Sequence, residues 1–117
     1  MNYDDISYGE YPDQPITVTK DNFESVTSNY QNVIIDFWAP WCGPCKALSP
    51  TIDSLAREMH GDVVFGKLNT DENQQMAMNL GVRSLPTLLV IQNGEVKQRI
   101  VGSHNHSELS SKIKNMF

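Results

Sequence analysis

Cys42 and Cys45 are the only cysteines of the chain, and Gly43-Pro44 separates them. At the start of a helix, two thiols at this spacing sit about one turn apart. Their sulfurs can then close a disulfide or part as a dithiol with little backbone movement. A helix N-terminus carries partial positive charge and free N–H groups, which stabilise a thiolate on the first cysteine. Cys42 is therefore read as a nucleophile. Cys45, a turn further in and facing the core, is read as the resolving thiol. Exchange would begin with a mixed disulfide on Cys42 and end when Cys45 attacks that sulfur, releasing reduced substrate. Gly43 lets a substrate backbone come close. Pro44 has no N–H, so the thiolate lacks one donor, which favours a reductant over an oxidant. The competing chemistry is a zinc half-site, which needs two further ligands. Besides carboxylates, the chain offers only His60, His104 and His106. His104 and His106 are two apart and do not share a helix face.

These cysteines must be positioned by what surrounds them. Before them, Val33-Ile34-Ile35-Asp36-Phe37-Trp38 is a near-continuous apolar run, the mark of a strand covered on both faces. Asp36 lies inside it. An unpaired buried carboxylate is costly, so its pKa should rise, and a solvated strand edge is the alternative. After the cysteines, Cys45, Leu48, Ile52, Leu55 and Met59 make one apolar stripe of a helix from about Cys42 to Met59. Pro50 falls inside it and should kink it, and Gly61 ends it.

The remaining elements follow the same signals. Ile16-Thr17-Val18 reads as a short strand. Thr19 or Asp21 can cap a helix through about Ser28, with Phe23 and Val26 inward. Val63 to Leu68 is a central strand, and Glu72 to Leu80 a short helix ended by Gly81. Strands at Thr87–Ile91 and Val96–Val101 flank Asn93-Gly94, a strong hairpin signal. A last helix starts near Asn105, spaced with Glu108 like a capping box, with Leu109, Ile113 and Met116 inward. The order β-α-β-α-β-α-β-β-α calls for an α/β fold: a mixed central sheet with helices on both faces.

A length of 117 residues suits one domain, and 39% hydrophobic against 20% charged residues excludes wholesale disorder. Asp4, Asp5, Glu10 and Asp13 give the first fourteen residues −4 of the net −5, leaving about −1 for the rest. Residues 1–14 are read as an acidic, flexible N-terminal tail, whose Tyr3, Tyr8 and Tyr11 could dock on the domain formed by residues 15–117. No basic cluster marks a nucleic acid or an anionic membrane as partner. There is no apolar run of membrane-spanning length and no secretory pattern at the N-terminus. The expected compartment is a reducing cytoplasm, and the expected oligomeric state a monomer.

The segment Asp36-Phe37-Trp38-Ala39-Pro40-Trp41-Cys42-Gly43-Pro44-Cys45 resembles the active site of thioredoxins almost letter for letter. The resemblance continues at Lys67-Leu68-Asn69, Pro86-Thr87-Leu88, Asn93-Gly94 and Val101-Gly102, across about residues 16–117. It implies the thioredoxin fold and a protein-disulfide reductase that carries electrons between a reductase and its targets. It also implies that Asp36 accepts the proton of Cys45, that Lys67 neighbours and tunes Asp36, and that Pro86 is a cis-proline beside the dithiol. For Lys67 the alternative is an ordinary solvated lysine, and for Pro86 a trans proline at a strand start. Trp41, Gly43, Pro44, Leu85, Pro86, Val101 and Gly102 would form a flat apolar docking patch for extended substrates. The implied partners are disulfide-containing proteins and a thioredoxin reductase or equivalent dithiol donor. No bound cofactor or metal is expected beyond the redox-active disulfide.

The sequence departs from the family pattern in the acidic tail, at Pro40, at Thr70 (often apolar in the family) and at Ser84-Leu85. Two other readings stand beside the reductase. An oxidase or isomerase is disfavoured by Gly43-Pro44, since such relatives usually carry a polar residue there. A thioredoxin-fold binding subunit of a complex would leave no motif.

Overall fold

The computed structural model describes residues 11–117. Most of the acidic segment 1–14, with Tyr3 and Tyr8, lies outside the described residues. Five strands and four helices follow in order: β1 (Ile16–Thr17), α1 (Phe23–Asn29), β2 (Asn32–Trp38), α2 (Gly43–Glu58), β3 (Val64–Asn69), α3 (Gln74–Asn79), β4 (Thr87–Gln92), β5 (Glu95–Val101) and α4 (His106–Lys114). A 3₁₀ turn at Thr70–Glu72 precedes α3. The strands form one sheet in the order β1-β3-β2-β4-β5. β1, β3 and β2 run parallel, while β4 and β5 are antiparallel to their neighbours.

Alternation along the strands sorts the core into two layers. Val33, Ile35 and Phe37 of β2 face a cluster with Val26 of α1 and Ala77 of α3. Ile34 faces the opposite cluster, with Leu48, Ile52, Leu55 and Ala56 of α2 and Leu109 and Ile113 of α4. Parity puts Asp36 on that second side, beneath α2. Lys67 shares it, because Phe65 of the same strand packs there. Asp36 and Lys67 are also direct neighbours in the β2–β3 register.

The ends of the elements show where local chemistry decides. Asn93 and Gly94 both take positive φ, 54° and 81°, as a tight two-residue hairpin requires. Asn105 and Glu108 form a reciprocal capping box on α4. α2 is capped at its two ends by Cys42 and Met59 and contains Pro50.

Two expectations need correction. The α1 cap position is Asn22, with no side-chain cap, rather than Thr19 or Asp21. Asn22 Oδ1 instead accepts from the Thr19 N–H at 2.7 Å, and Thr19 Oγ1 from the Asp21 N–H at 3.1 Å. These local bonds make a turn before the helix begins. The helix expected over Glu72–Leu80 is broken at Asn73. Its buried side chain accepts from the Lys20 N–H and donates to the Asn69 carbonyl, both at 2.9 Å. Glu72 is thereby left to the 3₁₀ turn.

Where the described chain begins, Tyr11 packs edge-on against Tyr30, with ring centroids 5.3 Å apart. His60 Nε2 lies 2.7 Å from the Tyr11 carbonyl.

Candidate active site

β2 ends at Trp38, and four residues later Cys42 caps α2 in an extended conformation. Cys42 and Cys45 are joined as a disulfide, with Cα atoms 5.3 Å apart. The Cys45 N–H donates to Cys42 Sγ at 3.2 Å. This N–H is one of the first-turn donors that the helix leaves unpaired, so it is aimed where a Cys42 thiolate would carry its charge. Pro44 supplies no such donor. Both cysteines are buried, at 5% and 2% exposure, and pack with Ala39, Trp38 and Leu85. What distinguishes the two is position: Cys42 stands at the cap and Cys45 one turn inside.

Beneath Cys45 lies a cleft of about 200 Å³ lined by Asp36, Trp38, Cys45, Lys46, Ser49 and Lys67. Asp36 is 2% exposed, and its Oδ1 is the buried side-chain oxygen without a hydrogen-bond partner among the described residues. Burial pushes its pKa from an ordinary 3.8 up to about 7; the nearby Lys67 charge works against that rise and the Asp53 carboxylate adds to it. The Lys67 ammonium donates to Ser49 Oγ at 2.6 Å and to Asp53 Oδ1 at 2.8 Å. Lys67 thus acts on Asp36 through the field of its charge, while its hydrogen bonds go to α2.

The surface around Cys42 is built from three loops. Trp41 is 70% exposed and its indole N–H donates to Asp71 Oδ1 at 3.2 Å. Gly43 and Pro44 are exposed beside it. The Leu85–Pro86 peptide is cis, and the Pro86 carbonyl accepts from the Gly102 N–H at 2.9 Å, which ties the loop before β4 to the end of β5. Val101 is 56% exposed, and Leu85 and Gly102 are half-buried. Pro86 itself is buried, so it backs the apolar patch instead of forming part of its surface. Thr70 turns its hydroxyl to the Trp38 carbonyl at 3.1 Å, so its polar group faces the protein.

The three histidines each meet other partners. His104 and His106 meet Glu108 and Glu58 respectively, and His60 meets Tyr11. Among the described residues, no group of three or more His, Cys, Asp or Glu could hold a metal ion. Likewise, no helix there is long and apolar enough to cross a membrane.

Ser49, Asp53 and Asp71 were not singled out from sequence. The first two are four apart on α2, but only the packing of α2 on β3 brings them to Lys67. Asp71 is thirty residues from Trp41, and only the fold brings them together.

A family model described as Thioredoxin matches residues 14–115. The chain belongs to the thioredoxin family. It is 47% identical over 93 residues to a thioredoxin of Haemophilus influenzae, covering 79% of this chain and 87% of that one. It is 45% identical over 91 residues to a chloroplastic M-type thioredoxin of Pisum sativum. The chain spans about half the length of such chloroplastic relatives, 53% for the pea protein and 59% for thioredoxin M5 of Oryza sativa. Among solved structures, a mutant thioredoxin from Halobacterium salinarum superposes with a TM-score of 0.84 at 37% identity, covering 90% of this chain and 92% of that one. The thioredoxin fold is thus common to sequence family and structural neighbour, and this chain carries the Cys42–Cys45 disulfide at the start of α2.

Proposed function

We propose that this chain is a protein-disulfide reductase cycling between the Cys42/Cys45 dithiol and disulfide. The observation that carries this reading is the placement of the pair. Cys42 Sγ sits at the helix cap and receives the Cys45 N–H, Cys45 lies over the buried Asp36, and Trp41 and Val101 form an exposed apolar rim.

In the forward half-cycle the Cys42 thiolate attacks one sulfur of a substrate disulfide. A Cys42–substrate bond forms, the substrate S–S bond breaks, and the leaving thiolate takes a proton from water. Asp36 then accepts the Cys45 proton, and the Cys45 thiolate attacks Cys42 Sγ. The mixed disulfide breaks, the second substrate sulfur leaves as a thiolate that takes a proton from water while Asp36 returns its own to solvent, and two electrons have passed to the substrate. A thioredoxin reductase or equivalent dithiol donor returns them. The chemistry runs on the two sulfurs and calls for no bound cofactor. A carboxylate with a pKa near neutrality suits proton transfer at cellular pH.

The half-buried Leu85 and Gly102 beside an exposed apolar rim support docking of an extended peptide that is read through backbone and shape. We place the protein in a reducing cytoplasm as a monomer. A chain with two cysteines, spaced for exchange and not for scaffolding, fits such a compartment.

The test is a trap. With Cys45→Ser, the protein incubated with a peptide disulfide should accumulate a mixed disulfide through Cys42, visible as an intact mass adduct that dithiothreitol removes. Cys42→Ser should give none. Adducts on Cys45 in preference to Cys42 would reverse the assignment.

A further inference from the structure

Lys67 stands where it could neutralise Asp36 directly. The two residues are register neighbours on adjacent strands, point to the same side of the sheet and line the same cleft. Adjacent strands are ~4.8 Å apart, well within the reach of a lysine side chain. Yet both resolved hydrogen bonds of the ammonium run to α2, to Ser49 Oγ at 2.6 Å and Asp53 Oδ1 at 2.8 Å, while Asp36 Oδ1 is left without a partner. Ser49 and Asp53 are one helical turn apart on the face of α2 that overhangs the cleft, so they act as a two-point anchor.

We infer that Ser49 and Asp53 are positioning residues that hold the Lys67 ammonium off the Asp36 carboxylate and so keep that carboxylate receptive to the Cys45 proton. The inference rests on the proton-acceptor reading of Asp36. An ammonium in direct contact would favour the ionised carboxylate and pull its pKa down. Held on α2, the same charge acts at longer range, and the Asp53 carboxylate opposes it. The groups around Asp36 are Lys67 from β3, Cys45, Lys46 and Ser49 from α2, Trp38 of its own strand and the uncharged Leu88 opposite it on β4, with the Asp53 charge acting from the next turn of α2. Asp53 is partly exposed, its side chain at 46%, so it can be changed without opening the core.

The experiment is a ¹³C NMR titration of the Asp36 carboxyl in the oxidised protein, made for the parent, Asp53→Asn, Lys67→Met and the double variant. Asp53→Asn should lower the Asp36 midpoint by about one pH unit, the size of an opposite charge moving close. In the Lys67→Met background the same change should move it by less than half as much, because only the loss of direct repulsion remains. No fall with Asp53→Asn, or an equal fall in both backgrounds, would overturn the anchor. Single-turnover resolution of the mixed disulfide tests the underlying reading separately. If Asp36→Asn leaves its pH profile unchanged, Asp36 is not the proton acceptor, whatever the titration shows.

Discussion

A carboxyl group in an apolar strand weakens the fold as soon as it must ionise. Asp36 has a pKa of about 7 in the folded chain against 3.8 ordinarily. Below pH 4 both states are protonated and the group costs nothing. As pH rises through 4 to 7, the unfolded chain ionises first, and the folded state loses stability relative to it. Above 7 the full penalty stands, on the order of 4 kcal/mol for this shift. Asp36→Ala should therefore gain stability over the parent by roughly that amount between pH 4 and pH 8, read by urea unfolding of the oxidised protein. Parallel stability curves would mean that Asp36 titrates normally. That Asp36 is buried was legible in the sequence, because a lone carboxylate interrupts an apolar run, while its place beneath the dithiol was implied only by the resemblance to thioredoxins. Its electrostatic setting was not legible, since Asp53 reaches Lys67 only through the packing of α2 on β3.

Elements carry their own tests. Gly66 lies on β3 between the two core layers, and a Cβ there would come within 2.5 Å of Val18 Cγ2 and 3.5 Å of the Ile16 carbonyl. Gly66→Ala should push β1 outward and destabilise the domain by about 1–3 kcal/mol, the usual range for overpacking. A change within ~0.5 kcal/mol in equilibrium unfolding would show that Val18 gives way freely. At the other end of the chain, Asn105→Ala removes the capping box of α4 and should cost about 1 kcal/mol by the same measurement. That box and the Asn93-Gly94 hairpin were readable because their bonds lie within a few residues. The breaks at Asn22 and Asn73 were not readable. Asn22 spends its side chain backwards on Thr19 and Thr17, and Asn73 is tied to Lys20 across 53 residues. The register shift between Val90 and Ile91 in the β4–β5 pair likewise leaves no mark in the alternation of residues.

For the whole molecule, the order of strands and helices leaves one sensible arrangement. The parallel crossovers through α1 and α2 put those two helices on opposite faces of the sheet, α4 packs on the α2 face and α3 on the α1 face, and the hairpin supplies the antiparallel edge. The consequence is functional. The end of β2, the cap of α2, the loop before β4 and the end of β5 meet at one edge of the domain, where Cys42 packs with Leu85 and follows the exposed Trp41. Sequence patterns locate the dithiol and the strands around it. They do not say which patch residues surface, and burial of Pro86 and the inward hydroxyl of Thr70 narrow the exposed patch to Trp41, Gly43, Pro44 and Val101, with Leu85 and Gly102 at its border. The central claim is that this edge reduces protein disulfides. Its most direct test is insulin reduction with dithiothreitol as electron donor, comparing parent and Cys42→Ser. Rapid precipitation of the insulin B chain with the parent, lost in the variant, is the predicted result. Precipitation no faster with the parent than with dithiothreitol alone would contradict it.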